Sequence, residues 1–303
     1  MKYSEETLIS WCKPASDTED NKINNAINMI KDAINKSVGL ENLTIEVFVQ
    51  GSYANNTNVR VNSDVDVCIM LKSTFFTEYA DGMTGEDYGF IDGTISFNDY
   101  KKDVLKALTD KFGFDNVSIG NKSIKIKSNT YHVSADAVVA FMLKDFKIIQ
   151  SKNANRYVEG IRFYAKDGSV VSNYPKDHIE NGIAKNNRTN YEYKKLVRIF
   201  KRIRNAMVDD GEIDKEKITS FLVECLVWNI PDSTIKYHST WTETVRQAIS
   251  YIYNAIREEN HDEWGEVSER LYLFNGNRKW SAADAKGFML KAWNYLEYDD
   301  ESN

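Results

Sequence analysis

The sequence predicts an α+β protein in which a mixed β-sheet with flanking helices packs on an α-helical C-terminal lobe. Alternating, β-branched segments lie before Pro175, whereas the apolar residues after it recur at helical spacing. The chain has 303 residues, of which 42% are hydrophobic, so it can bury enough apolar surface for two domains. We expect a sheet domain over residues 1–174 and a helical lobe over residues 175–303.

Composition excludes several classes of protein. No run of eighteen apolar residues occurs, and the N-terminus lacks the apolar core of a signal peptide, so neither a membrane nor a secreted protein is expected. Cys12, Cys68 and Cys225 are widely spaced, which is typical of free thiols in a cytoplasmic protein and excludes a zinc ribbon built from cysteines. The net charge of −6 argues against a broad nucleic-acid footprint.

Two helices are expected before the first strand. Residues 4–11 can form a short helix. Residues 17–38 have apolar side chains at helical spacing, with Asp17 or Thr18 as the N-cap and Gly39 at the end. This second helix is long enough to brace both domains, although core packing alone would explain it equally well.

The segment around which the fold is organised joins two predicted strands, 43–49 and 65–71. The second strand is the more continuously apolar, and it begins with Asp64 and Asp66. Residues i and i+2 of a strand point to the same face, so these carboxylates are adjacent and repel each other without a cation between them. Hard divalent cations such as Mg²⁺ prefer such oxygen ligands.

A Gly-Ser turn ends the first of these strands. Gly51 allows the backbone to approach a bound group closely. Ser52 is expected to cap the short segment that follows and to leave N–H groups free for an anion. Either motif alone is common in solvated loops, but their order between two strands is much rarer.

A third carboxylate is predicted on a later strand. Helix 98–112 is followed by short strands at 116–119 and 123–127, a longer strand at 130–141, and a hairpin with an Asp167-Gly168 turn. Asp136 lies within the apolar part of strand 130–141, where an ionised carboxylate is costly without a partner. A neighbouring lysine or backbone N–H groups could be that partner, but together with Asp64 and Asp66 the residue completes a site for two metal ions.

The helical lobe opens with the most basic stretch of the chain. A helical wheel places Leu196, Ile199, Phe200, Ile203 and Met207 on a buried stripe, and Lys194, Lys195, Arg198, Lys201 and Arg202 on the opposite face. This basic face is either a solvated surface or a binding surface for a triphosphate, and the residues alone do not decide between the two.

The following helix, 214–229, is mainly apolar. Ser220 and Phe221 near its start could hold a phosphate and stack on a base, or Phe221 could simply be a core residue. Two further helices, 240–258 and 281–297, carry tryptophans that indicate packing.

These motifs resemble those of the DNA polymerase β-like nucleotidyltransferases. The stretches GSYANNTNVRVNSDVDV, SNYPKDHIENGIAKNN and ITSFLVECLVWNIP are most similar to the CdnE group of bacterial CD-NTases, relatives of cGAS and of oligoadenylate synthase. The resemblance covers nearly the whole chain. It implies a synthase that joins NTPs, with release of pyrophosphate, into a cyclic di- or oligonucleotide that serves as a second messenger in antiphage defence.

The resemblance also implies roles for individual residues. Asp64, Asp66 and Asp136 would hold two Mg²⁺ ions, for which Mn²⁺ can substitute, and would be the catalytic residues. Nucleotide binding would fall to Gln50, Gly51, Ser52, Lys195, Arg198, Lys201, Ser220 and Phe221. The zinc insertion with which cGAS grips DNA has no counterpart here, so activation by nucleic acid is not expected. The implied enzyme is a monomer whose product acts on a downstream effector.

The substrates are expected to be ATP together with UTP, CTP or GTP. A pyrimidine, as in cyclic UMP-AMP, is favoured by the resemblance and weakly by the side-chain amides of Asn173, Asn181, Asn186 and Asn187. Two alternatives remain open: a nucleotidyltransferase that modifies a tRNA end or a small acceptor, and a non-catalytic nucleotide-binding relative.

Overall fold

The computed structural model describes residues 1–14, 20–59, 64–236, 238–275 and 278–298. The chain divides into two units: a sheet unit, Ser16–Ala54 with Arg60–Lys176, and a helical unit, Met1–Ala15 with Asn55–Val59 and Asp177–Asn303. The division after Lys176 lies two residues beyond the expected one. The expected sheet domain differs from the sheet unit in a second way, because the first residues of the chain and the segment Asn55–Val59 group with the helices.

A mixed sheet is the frame of the sheet unit, as the sequence predicts. Its strands are β1 Ile45–Gln50, β2 Val65–Glu78, β3 Val117–Ile119, β4 Ile124–Ile126, β5 Ala135–Asp145, β6 Val158–Tyr164 and β7 Val170–Asn173. The order is β1-β2-β5-β4-β3, with β6 pairing with β5 and β7. Strands β2 and β5 are parallel, and each of the other pairs is antiparallel.

The two central strands differ in length from their predicted extents. β2 continues to Glu78 through a register shift between Leu71 and Phe75. β5 begins at Ala135, so the first five residues of the predicted strand 130–141 lie outside it. His132 is buried there against the ring of Phe112.

The helices are α1 Glu5–Trp11, α2 Asp20–Asn35, α3 Gly51–Ala54, α4 Phe97–Phe112, α5 Pro175–Arg188, α6 Tyr193–Asp209, α7 Ser220–Trp228, α8 Asp232–Lys236, α9 Trp241–Arg257 and α10 Ala282–Tyr295. Helix α2 ends at Asn35, before the expected stop at Gly39, which lies in a separate 3-10 turn. The expected caps Asp17 and Thr18 lie outside the described residues. The apolar side of α2 packs on α4, β1 and β2 within the sheet unit.

The helical unit has its own core, built from α6, α7, α9 and α10. Helix α1 belongs to this core because Leu8 is fully buried in it. The Glu5 carboxylate accepts hydrogen bonds from the backbone N–H groups of Trp241 and Thr242, at 2.7 and 2.9 Å, and so caps α9 from another part of the chain. Within the described ranges, no helix has the length and apolar character needed to cross a membrane.

Candidate active site

Asp66 and Asp136 lie side by side at the edge of the sheet where β2 and β5 begin. The two residues are direct partners in the parallel register of these strands, which confirms the expectation that Asp136 lies beside the Asp-x-Asp strand. Asp64 precedes β2 and is exposed. Lys125, on the neighbouring strand β4, has its Nζ 3.8 Å from Asp136 Oδ1. Its side chain is more than half exposed, so it neutralises the carboxylates only in part.

The surroundings of Asp66 disfavour its negative charge. Burial, and then the charges of Asp136 and Asp64, raise the pKa of Asp66 to about 7, while Lys125 lowers it only partly. Oxygen ligands that carry excess negative charge suit a hard divalent cation. The residues present therefore fit such an ion. In the part of the chain described here, no three acidic, histidine or cysteine side chains lie together in an arrangement that could hold a metal ion, so Asp66 and Asp136 form the close pair and Asp64 lies outside it.

Gly51 lies directly against this carboxylate. Its φ of +70° is in the left-handed region, and a Cβ at this position would lie 2.2 Å from Asp66 Oδ2. Gln50 is the partner of Asp66 in the antiparallel register of β1 and β2. The chain thus brings the Gly-Ser turn and the Asp pair together within the sheet unit. Ser52 lies inside the single turn of α3, which corrects its expected position as a cap before that turn.

The basic helix α6 differs from its predicted surface. The apolar stripe is buried as predicted, but Lys194, Arg198 and Lys201 are 9%, 6% and 3% exposed. The prediction that these cations share an open face opposite the stripe is therefore wrong. The helical wheel assumed that only one side of α6 is buried, whereas α7 and the segment Asn55–Val59 also cover the side that carries these cations.

The cations of α6 have different partners. Lys201 binds Glu224 and Thr57, and Arg198 donates to two backbone carbonyls. Lys195 pairs with Glu192 at 3.0 Å and remains partly exposed. Burial lowers the pKa of Lys194, and among the described residues its ammonium has no hydrogen-bond or ion-pair partner.

Helix α7 presents the predicted Ser-Phe pair to solvent. Thr219 caps the helix by accepting from the backbone N–H of Leu222, and Ser220 is its first residue. The Phe221 ring is 37% exposed, which argues against the alternative interpretation of Phe221 as a core residue. His178 and Trp280 flank that ring, with centroids at 5.9 and 6.1 Å.

The four asparagines that were expected to favour a pyrimidine differ in their surroundings: two have their amides bound within the protein and two are exposed. Asn181 donates to the carbonyl of Val267, and Asn186 accepts from the backbone N–H of Lys194, so both amides support the fold. Asn173 and Asn187 are exposed.

Sequence reasoning missed a buried polar cluster in the helical unit. Glu224 is 5% exposed and contacts Lys201, Thr57 and His178. The signal was present in the sequence, since a lone carboxylate in the apolar run of α7 needs a partner. The sequence does not reveal which residues supply it, because Thr57 is 167 positions away.

A sheet that carries adjacent carboxylates beside a Gly-Ser turn, in a chain with a separate helical unit, defines a nucleotidyltransferase with the polymerase β-like fold. Two family models match the chain, a nucleotidyltransferase domain over residues 27–130 and a cGAS/DncV-like nucleotidyltransferase C-terminal helical domain over residues 180–297. The cyclic dipyrimidine nucleotide synthase CdnE of Cecembia lonarensis is 45% identical over 298 residues, which cover 98% of this chain and 99% of the relative. The chain belongs to the cGAS/DncV-like nucleotidyltransferase family, the CD-NTases.

Two solved structures resemble the whole chain. The Elizabethkingia meningoseptica CdnE cyclic dinucleotide synthase, determined with GTP and Apcpp, is 37% identical with a TM-score of 0.82, over 98% of this chain and 100% of that one. The Rhodothermus marinus CdnE c-UMP-AMP synthase, determined with Apcpp and Upnpp, is 29% identical with a TM-score of 0.86, over 99% and 98%.

Proposed function

We propose that this enzyme condenses two NTPs into a cyclic dinucleotide, a second messenger that acts on a downstream effector in antiphage defence. The observation that carries the proposal is that Asp66 and Asp136 are neighbours on the paired strands β2 and β5. Gly51 lies directly against the Asp66 carboxylate. The relatives named as cyclic nucleotide synthases match nearly the full length of the chain, which supports extending this reaction to it.

The reaction forms one phosphodiester bond at a time. A ribose hydroxyl of one nucleotide attacks the α-phosphorus of another, the bond to the β-phosphate oxygen breaks, and pyrophosphate leaves with that electron pair. A carboxylate of the trio takes up the hydroxyl proton, and a second round on the linear intermediate closes the ring. Asp64, Asp66 and Asp136 would hold two Mg²⁺ ions, which stabilise negative charge on the attacking and leaving oxygens.

Phosphate contacts are assigned by accessibility. Gly51 and Ser52 supply backbone N–H groups beside the carboxylates, and Ser220 offers an exposed hydroxyl at the start of α7. On α6, Lys195 is the better candidate, because its side chain is partly exposed, whereas Arg198 and Lys201 are buried and bind protein groups. Phe221 would stack on a base with its exposed ring.

The bases are proposed to include a pyrimidine. Relatives named as a cyclic dipyrimidine synthase and a c-UMP-AMP synthase support this choice, whereas another is named as a cyclic dipurine synthase. Of the four asparagines first considered, Asn173 and Asn187 keep exposed amides that could pair with a base.

The test is incubation of the purified protein with all four NTPs and Mg²⁺, followed by phosphatase treatment, chromatography and mass spectrometry. We expect a phosphatase-resistant cyclic product containing label from UTP or CTP when ATP is also present. A resistant product labelled only by purines would refute the pyrimidine assignment. Absence of any cyclic product, with transfer to an added tRNA or small-molecule acceptor, would refute the proposed function.

A further inference from the structure

The segment Asn55–Val59 is a polar stretch that the helical unit buries. Asn55, Thr57 and Asn58 are 4%, 0% and 7% exposed. Loops normally run over the surface because their backbone polar groups need water or protein partners. The segment follows directly on α3 in the chain, so whatever fixes it also limits the freedom of the Gly-Ser turn.

Thr57 hydrogen-bonds to both members of a buried ion pair, Lys201 and Glu224. Its hydroxyl donates to Glu224 Oε2 at 2.9 Å and accepts from Lys201 Nζ at 2.9 Å, while Lys201 Nζ lies 2.5 Å from the same carboxylate oxygen. Burial alone would raise the pKa of Glu224, but the Lys201 ammonium and the hydrogen bond with His178 hold that pKa well below its ordinary value. The carboxylate is ionised, and the three polar groups satisfy one another.

Arg198 holds the neighbouring residue. Its guanidinium donates to the carbonyl oxygen of Asn56 and to that of Cys12, each at 2.6 Å. Asn56 has a φ of +53°, in the left-handed region that few residues other than glycine adopt. Two consecutive residues of the segment are therefore fixed by side chains of α6, one through its backbone and one through its hydroxyl.

We propose that Thr57, Glu224, Lys201 and Arg198 form a positioning network that fixes this segment and thereby sets the affinity of the Gly-Ser turn for nucleotide phosphates. The network acts through the chain, since Thr57 lies five positions after Ser52. It rests on the proposed function in one respect, the assignment of that turn to phosphate. Arg198 and Lys201 are accordingly positioning residues and do not touch the nucleotide.

The test uses Thr57→Val, which removes one hydroxyl and leaves the ion pair intact. We expect the affinity for a non-hydrolysable NTP analogue, measured by calorimetry with Mg²⁺, to fall about tenfold. KM should rise by a similar factor with little change in kcat, and amide hydrogens of residues 55–59 should exchange faster. Thr57→Ser keeps the hydroxyl and should restore binding.

Thr244→Val is the matched control. Thr244 is a buried threonine of the same unit, 4% exposed, whose hydroxyl donates to the carbonyl of Thr240, the N-cap residue of α9, at 2.8 Å. Wild-type affinity in Thr57→Val, an equal loss in Thr244→Val, or a fall in kcat at constant KM would each overturn the inference.

Two further measurements keep the test decisive. If Thr57→Val does not fold, Arg198→Lys decides. A lysine side chain places one nitrogen where Arg198 has two separate donors, Nε to the carbonyl of Cys12 and Nη1 to that of Asn56, and should weaken binding in the same way. Unchanged affinity in Arg198→Lys would then overturn the network. Calorimetric binding does not depend on turnover, so a wild-type protein that binds the analogue but makes no cyclic product would refute the proposed function alone.

Discussion

Asp66 is a carboxylate whose negative charge is disfavoured by its surroundings. Burial, together with the charges of Asp136 and Asp64, raises its pKa to about 7. We expect Asp66→Asn to lower product formation more than about 100-fold, because the amide is a poor ligand for a divalent cation. Thermal stability at pH 8 should be equal or higher. The exposed Asp110→Asn is the control, and substantial synthesis by Asp66→Asn would remove this residue from the active site.

The same pKa predicts how stability depends on pH. Between about pH 4 and pH 7 the folded protein holds a proton on Asp66 that the unfolded chain has released, so stability from this group is lost as the pH rises through 7. Without divalent cations, the free energy of unfolding should fall by about 2–3 kcal/mol from pH 5 to pH 8.5 relative to Asp66→Asn. Denaturant titrations at the two pH values, with and without Mg²⁺, measure the difference. Parallel behaviour of the two proteins would contradict the assigned pKa.

Gly51 can be tested against another glycine with the same backbone conformation. Gly51→Ala places a methyl group against Asp66, whereas Gly82, with a φ of +74°, has nothing within 4 Å of the added Cβ. Both substitutions carry the cost of a left-handed alanine, about 1 kcal/mol. We expect only Gly51→Ala to abolish NTP binding and synthesis, as measured by calorimetry and product analysis. Equal activity of the two variants would show that the close approach is not needed.

At the level of elements, α6 shows what the sequence could and could not reveal. The 3.6-residue period correctly predicts that Leu196 and Phe200 face the core, since that pattern depends on the helix alone. The burial of Arg198 and Lys201 depends on Glu224 and Thr57, which come from distant parts of the chain. The Asp-x-Asp spacing at the start of β2 also depends on one element alone and is readable from the sequence. The register that places Asp136 beside Asp66, and the close approach of Gly51 to Asp66, become visible only in three dimensions.

The cations of α6 give a prediction at this scale. Lys195→Ala should weaken binding of an NTP analogue by about three- to tenfold, since it removes a partly exposed charge that phosphate can reach. Arg257→Ala, an exposed cation of α9, should have no effect. Lys185 is unsuitable as a control, because its buried ammonium donates to the carbonyls of Trp228 and Ile230. Wild-type affinity in Lys195→Ala would show that this cation does not contact the nucleotide.

At the scale of the whole molecule, helix α1 near the start of the chain packs in the same core as the C-terminal helices. Leu8→Ala should lower the free energy of unfolding of the helical unit by about 2–4 kcal/mol, because Leu8 is fully buried in that core. The neighbouring Ile9→Ala, at a side chain that is 50% exposed, should cost less than about 1 kcal/mol. All six tryptophans lie in the helical unit, so their fluorescence follows its unfolding selectively. Equal midpoints for the two variants would exclude α1 from the core.

Because the helical unit is assembled from three separate stretches of chain, the order of translation constrains when it can form. The ribosome makes Leu8 and Thr57 long before α6, α7 and α9, whose residues surround them in the finished protein. Domains normally fold as units during synthesis, from the N-terminus onward. Here the sheet unit and the segment 55–59 emerge before Arg198 and Glu224 are made, so a chain stalled at that point carries the carboxylates but lacks the proposed positioning network. On the proposed function, the nucleotide site would be complete only after α6 and α7 have left the ribosome.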